Sequence, residues 1–288
     1  MKLAYLASKV TLPGSPTRRP DAFEHDRMMD ALTAPLERRG IAIEAVDWAG
    51  EEDWGRFDAA LIGTTWDYWD FQDEFLARLT EIEAAIPLFN SAETVRWNSD
   101  KNYLRDLEAK GAKLIPTLWL DEVTPESPSQ AFDYFGADDL VFKRQVGAGA
   151  AGQHRLKRGD AVPEMPHAMM VQPFLPMIQT EGEISFIFID GKFCHALIKR
   201  AKAGDYRIQS SYGGVEEAIT PSDEDLSAAR SMMETLESVP LYARVDMLRG
   251  EDGRLLLMEM ELIEPYLYPL EGPELGERIA DALIGRLG

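Results

Sequence analysis

The chain has a single cysteine, Cys194, among its 288 residues. That excludes an intrachain disulfide and every thiolate-cluster metal site. Histidine is also scarce: His25, His154, His167 and His195 are scattered and are expected to be structural or surface residues. Cations are in deficit, with 30 Lys+Arg against 50 Asp+Glu and a formal net charge of −20. A field of that sign repels phosphate backbones and anionic lipid, so neither nucleic acid nor a membrane is expected as a partner. A small anion can still be held where a basic pocket or a metal ion reverses the sign locally. Long apolar runs are missing too. Residues 1–7 are too short a run for a signal peptide, and nothing approaches the roughly 20 apolar residues of a spanning helix. The protein is expected to be soluble and cytoplasmic. The signatures G-x-S-x-G, H-E-x-x-H and G-x-x-x-x-G-K-[ST] are likewise not found.

What is present is a chain with 45% hydrophobic residues, enough to bury a core in one large domain or in two to three small ones. Short apolar strands over 3–8, 41–46, 59–63 and 87–90 alternate with helical spacing. Phe23, Met28, Met29, Leu32 and Leu36 form one such set, stopped by Gly40; Phe75, Leu79, Ile82 and Ile86 form another. Strand–helix alternation predicts a small parallel α/β unit over 1–95, with ligands beyond the carboxyl ends of its strands. The loop 8–20 and Thr64-Thr65-Trp66-Asp67-Tyr68-Trp69 lie there. Asn98-Ser99-Asp100-Lys101 reads as a helix start running into Tyr103, Leu104 and Leu107. A strand over 113–120, an acidic Pro-rich loop over 121–128 and a strand over 140–143 are expected next. Strands over 169–174, 183–189 and 192–198 follow, then a helix over 223–236 and a strand pair over 243–248 and 255–261.

Three stretches carry chemistry. Gly147-Ala148-Gly149-Ala150-Ala151-Gly152 fits G-x-G-x-x-G, but the polar, basic residues 153–159 that follow cannot be the apolar helix of a dinucleotide fold. The alternatives are a glycine hairpin closing over phosphates behind Lys143 and Arg144, or an ordinary surface hairpin. Asp246 interrupts one apolar strand, and Glu259 and Glu261 share one face of the next. The Glu251-Asp252-Gly253-Arg254 turn predicts antiparallel pairing, which would bring the three carboxylates together. Such a cluster repels itself unless cations occupy it, and hard oxygen ligands suit Mg²⁺; the alternative is a solvated acidic strand face. Third, Lys199, Arg200, Lys202 and Arg207 concentrate positive charge in an acidic chain and lead to Gly213-Gly214. They read either as a phosphate-facing loop or as a solvated one.

In this order and spacing the stretches resemble the ATP-grasp superfamily, over residues 98–267. The stretches that carry the resemblance are Val141-Phe142-Lys143 with its glycine hairpin, Val171-Gln172-Pro173-Phe174-Leu175-Pro176 with Glu181-Gly182-Glu183, and Arg244-Val245-Asp246 with Met258-Glu259-Met260-Glu261-Leu262-Ile263-Glu264-Pro265. The sequence is most similar to ligases of the glutathione-synthetase and ribosomal-protein-S6-modifying type, and among these to the D-cycloserine-forming ATP-grasp ligases, which share Trp66-Asp67-Tyr68.

The resemblance implies an α/β (α+β) fold in three parts: an N-terminal substrate-side domain (1–95), a central lid subdomain (96–170) and a C-terminal antiparallel catalytic subdomain (171–288). It implies that Lys101, Lys143 and Gly149 hold nucleotide phosphates, that Gln172 and Phe174 lie against adenine, and that Glu183 meets the ribose. Asp246, Glu259 and Glu261 would hold one or two Mg²⁺, with Mn²⁺ acceptable; the family often has Asn where Glu261 stands. Arg200 and Arg207, with Lys143, would steady the transferred phosphoryl group and the substrate carboxylate. Asp67, Tyr68, Gly213 and Gly214 would face the substrate. The implied function is ATP-dependent activation of a carboxylate, that of an amino acid or a derivative, as an acyl phosphate. An amine then attacks, releasing ADP and phosphate. The substrates would be small molecules, and self-association is common among such relatives. Ring closure within one molecule, a nucleotide-binding regulatory module and a phosphotransferase are the alternatives.

Overall fold

The computed structural model describes residues 1–147, 152–202 and 213–288. A parallel sheet opens the chain. Its strands are β1 (Lys2–Ala7), β2 (Ala42–Asp47), β3 (Ala59–Ile62) and β4 (Leu88–Phe89), in the order β2-β1-β3-β4. The helix α1 (Phe23–Arg38) connects β1 to β2, and α2 (Gln72–Ala85) connects β3 to β4. Both helices follow from the apolar spacing in their sequences, and Gly40 stops the first by taking φ +74°. The order reverses at β1, which places a switch point beyond the ends of β1 and β3.

Two short helices follow, α3 (Ala92–Asn98) and α4 (Tyr103–Ala109). Asn98 ends α3, and Ser99-Asp100-Lys101 lie in the turn that leads into α4, the helix expected through Tyr103, Leu104 and Leu107. The strand expected over 113–120 is reduced to β5 (Leu118–Leu120), plus one parallel bridge from Leu114 to Leu257. The expected loop over 121–128 gives way to α5 (Ser127–Phe135), with Pro128 in its first turn, where a missing N–H costs nothing. An antiparallel sheet is completed by β6 (Asp139–Arg144), β7 (His154–Lys157) and β8 (Met169–Pro173), in the order β5-β8-β6-β7. The boundary expected at 170/171 falls inside β8.

After α6 (Met177–Thr180) comes the largest sheet: β9 (Glu183–Ile189), β10 (Lys192–Arg200), β11 (Val215–Ile219), β12 (Tyr242–Arg249) and β13 (Leu255–Glu261). It is antiparallel, in the order β11-β10-β9-β12-β13, with α7 (Asp223–Met233) on one side. The last helix, α8 (Leu275–Leu287), packs not on its own sheet alone but against α1. One core unites Leu3, Leu32 and Leu36 with Ile187, Leu197, Leu275 and Ile279.

The α1–α8 contact leaves no room for a side chain at Gly276, where an added Cβ would lie 2.0 Å from the Ala31 carbonyl oxygen. Gly276→Ala is expected to destabilise the protein by about 1–3 kcal/mol or more, as overpacking does, read as a lowered Tm. An unchanged Tm would refute this packing.

Candidate active site

Four strands of the large sheet present charged side chains on one face. Their registers make them neighbours: Lys199 opposite Glu183, Asp246 opposite Ser185 and Glu259, and Arg244 opposite Glu261. Directly paired residues share a face. All of Lys199, Glu183, Ser185, Asp246 and Arg244 are buried.

The pairing within this face is nearly closed. Lys199 Nζ lies 2.5 Å from Glu183 Oε1 and 3.4 Å from Asp246 Oδ1. Arg244 Nε donates to both oxygens of Asp246, at 3.1 and 3.0 Å, and another nitrogen of its guanidinium donates to Glu261. The Ser185 hydroxyl also donates to Asp246. Lys101, from the turn before α4, reaches Glu259 at 3.0 Å and donates to the Gly147 carbonyl at 2.6 Å.

Burial sets the electrostatics. Desolvation alone would raise the Asp246 carboxyl, yet Arg244 and Lys199 hold it below the ordinary range. Glu183 and Glu261 are pushed up to about 7, chiefly by burial and in part by the charge of Asp246. Burial opposes a charge on Lys199 as well, but Asp246 and Glu183 keep it protonated. Glu264 is raised well above the usual carboxylate value by burial and by Glu261. Lys143 is half-buried and has no hydrogen-bond or ion-pair partner among the described residues. Burial lowers its pKa, while Glu259 and Glu183 pull the other way.

The expected three-carboxylate metal cluster is not assembled. Among the described residues, no group of three or more His, Cys, Asp or Glu side chains is placed to hold a metal ion. All three acids are paired with cations: Asp246 with Arg244 and Lys199, Glu259 with Lys101, and Glu261 with Arg244. Glu259 and Glu261 remain side by side on β13, half-exposed and facing Lys101 and Arg244. Their hard oxygens fit Mg²⁺ with phosphate oxygens completing its shell.

Arg200 is displaced from its expected role. Strand alternation turns it away from Lys199, and its half-exposed side chain pairs with Glu217 on β11 and donates to the Glu181 carbonyl. The inward-facing cation is Lys199, which the motif reading passed over. Arg207 and Gly149 lie outside the described residues. Gly213, at φ +84°, and Gly214 lead into β11.

On the facing sheet, Gln172 is buried on β8 and donates to Thr117 Oγ1 at 2.9 Å. The Phe174 ring lies 3.4 Å from the Arg155 guanidinium, and its amide donates to the Asp139 carbonyl at 2.9 Å. The Phe174 N–H is thus already engaged, so it is not the backbone group that reads a base. Gln145, which no motif marked, is buried and ties the turn at Asn102 to Leu120 and Met169.

At the switch point of the parallel sheet, Asp67 accepts from Trp48 Nε1 at 2.7 Å, and burial raises its carboxyl. Tyr68 is not a pocket wall. It is buried in the core against Trp69 and Phe75, while the charges of Glu264 and Glu261 help to hold its phenol above the ordinary value. Arg19 covers Trp66 and Trp69 at 5.7 and 5.9 Å. Beside them stands a buried polar cluster. His25 Nδ1 and Thr64 Oγ1 are 2.6 Å apart, and the Ser8 and Thr11 hydroxyls donate to the Thr64 carbonyl. Only the position of these residues after β1 and β3 could have signalled the cluster. Trp66 Nε1 donates to the Glu264 carbonyl at 3.3 Å, linking this end to the carboxylate face.

Buried cations paired with acids on an antiparallel sheet, with a second antiparallel sheet and a parallel one beside it, are the features that comparison with known proteins interprets. Residues 5–90 match the N-terminal domain of D-cycloserine synthetase DcsG, and residues 160–258 match the ATP-grasp domain of prokaryotic glutathione synthetase. The cycloserine biosynthesis protein DcsG of Streptomyces lavendulae is 32% identical, over 99% of this chain and 98% of its own length. The crystal structure of D-cycloserine synthetase DcsG superposes with a TM-score of 0.85 at 27% identity, covering all of both chains. D-alanine–D-alanine ligase from Bacillus anthracis shares the fold, with a TM-score of 0.69 at 17% identity, covering 100% of this chain and 97% of the other.

The chain belongs to the ATP-grasp ligase family that includes DcsG. It is an ADP-forming enzyme that couples ATP cleavage to carboxylate–amine ligation. No helix among the described residues is long and apolar enough to cross a membrane.

Proposed function

We propose that the enzyme activates the carboxylate of an amino acid or amino-acid derivative and closes it onto an amine or similar nucleophile. The observation that carries this reading is the charged face of the large sheet, where Lys199 and Arg244 stand among Glu183, Glu259 and Glu261, joined by Lys101 from the turn before α4 and by the field of Lys143 from β6. A carboxylate is a poor electrophile, and phosphorylation replaces its oxide leaving group with phosphate. One substrate oxygen attacks the γ-phosphorus of ATP, and ADP departs. The nucleophile then adds to the acyl carbon, loses a proton and expels phosphate. Protein groups position the reactants, offset charge and exclude water.

In this reading Lys101, Lys143 and Gly149 hold phosphate oxygens. Gln172 and Phe174 line the base, and Glu183 meets the ribose. Asp246, Glu259 and Glu261 would hold one or two Mg²⁺, or Mn²⁺, exchanging their cation partners for metal; the ions would supply charge neutralisation to the triphosphate. Arg207 steadies the acyl phosphate, and Asp67, Gly213 and Gly214 border the substrate. Residues 1–95 form the substrate-side unit, the segment from 96 to the end of β8 the lid, and the rest of the chain the catalytic unit.

Full-length similarity to a cycloserine biosynthesis protein, including the N-terminal domain, favours ring closure within one molecule over joining two. The test is release of ADP and phosphate with Mg-ATP across amino acids and their derivatives, singly and in pairs, with and without hydroxylamine. Release that depends on a single compound, with a hydroxamate trapped by hydroxylamine, is expected. AMP and pyrophosphate would refute acyl-phosphate chemistry, and a strict need for two compounds would refute ring closure.

A further inference from the structure

The strand that carries Glu259 and Glu261 is at the edge of its sheet, since β13 pairs with β12 on one side only. Backbone groups on a buried edge need partners. At Leu257 they come from backbone: its N–H donates to the Lys113 carbonyl at 2.7 Å, and its carbonyl accepts from Ile115 at 3.2 Å. At Met260 and Leu262 they come from side chains of residues 90–103. Met260 N–H donates to the Tyr103 hydroxyl at 2.7 Å. The Asn98 amide donates to the Met260 carbonyl at 2.9 Å and accepts from Leu262 N–H at 2.9 Å. Asn90 Nδ2 donates to the Leu262 carbonyl at 2.8 Å.

Asn98 therefore does what a peptide unit of a neighbouring strand would do. Its two bonds straddle Glu261, and the residue it grips on the near side, Met260, lies between the two acids. It is the last residue of α3, yet its side chain caps no helix and is 8% exposed. Three residues on, Lys101 reaches Glu259 itself. One short segment thus holds the backbone of the acids and also meets one carboxylate directly.

We infer that Asn98 is a positioning residue for Glu259 and Glu261, fixing through the β13 backbone where their oxygens stand. This rests on the reading that those two acids hold the metal–nucleotide. A brace that served stability alone would lower Tm without altering metal affinity relative to nucleotide affinity.

The experiment uses the full chain with Asn98→Leu, which keeps the volume and removes both bonds, and Tyr103→Phe, which removes one acceptor and keeps the ring. Glu259→Gln is the reference. Mn²⁺ affinity is measured by EPR in the presence of ATP, ATP affinity is measured in chelator, and amide exchange is followed at Met260 and Leu262. Asn98→Leu is expected to weaken Mn²⁺ about tenfold or more, the usual loss when the support of a metal ligand is removed, with ATP affinity in chelator little changed. Leu262 exchange should quicken in Asn98→Leu, and Met260 exchange in Tyr103→Phe, with a smaller loss of Mn²⁺ affinity in the second. If Glu259→Gln weakens Mn²⁺ but neither other variant does, the positioning role is overturned and the metal reading stands. Equal losses of Mn²⁺ and ATP affinity would also overturn it. If Glu259→Gln leaves Mn²⁺ untouched, the metal reading falls and this role with it.

Discussion

Replacing Lys143 with methionine is expected to reduce ATP-dependent turnover by roughly a hundred- to a thousandfold, while Tm stays level or rises. The two halves come from one observation. Lys143 extends from β6 into a partly desolvated space with no partner among the described residues, and its neighbours act on it only through their fields. Burial pulls its pKa below the ordinary lysine value, so in the ligand-free protein the ammonium costs stability. Methionine fills a similar volume without that cost. Phosphate oxygens would supply the missing partner, and a fixed cation aimed at developing charge is worth about that much in rate. Steady-state ADP release and a thermal melt on the same preparation decide it. Full activity would remove Lys143 from the site, and a fall of several degrees would show that it has a structural partner.

Strand bounds were most legible where an apolar run ends at turns on both sides. The expected strands over 183–189 and 255–261 agree with β9 and β13 to the residue, because their apolar runs are bounded by turns. Which side chain faces the site is not legible where a strand is covered on both faces. Residues 195–199 of β10 are all buried, so alternation does not distinguish Lys199 from Arg200, and a register shift between Phe193 and His195 removes the parity count. Arg200 was the natural choice from motif order, yet the fold turns Lys199 inward. The helix α5 was hidden by Pro128, which signals a loop unless it is recognised in a first helical turn. In α8, Leu275, Ile279 and Leu283 recur at helical spacing, but nothing in that pattern says that the partner is α1, more than two hundred residues earlier. The three acids were found from their strands. What sequence spacing does not carry is how they are neutralised: Arg244 and Lys199 pair with Asp246, Lys101 with Glu259, and Arg244 also with Glu261.

Asp246→Asn is expected to cost about 3–5 kcal/mol, the loss that follows when one partner of a buried ion pair is removed. Arg244, Lys199 and Ser185 all converge on this carboxylate, and asparagine leaves two buried cations with one remaining anion each, Glu261 and Glu183. The pH dependence has two opposing parts. The folded-state pKa of Asp246 is depressed, so its contribution is present above the unfolded value of 3.8 and is lost as pH falls through the lower folded value. Glu183 and Glu261 are each raised from 4.5 to about 7, so their folded forms retain protons that the unfolded chain gives up. Stability of the ligand-free protein is therefore expected to decline as pH rises from about 4.5 to about 7, and Glu183→Gln should flatten that slope. Asp246→Asn should flatten it as well, because the anion that helps to raise Glu183 is gone and Lys199 then serves Glu183 alone. Denaturant melts at pH 4.5, 6 and 7.5 separate these contributions. An Asp246→Asn protein as stable as the parent at pH 7.5, or one whose stability falls more steeply across that range, would mean that the chain from Glu183 through Lys199, Asp246 and Arg244 to Glu261 is not the coupled unit its distances describe.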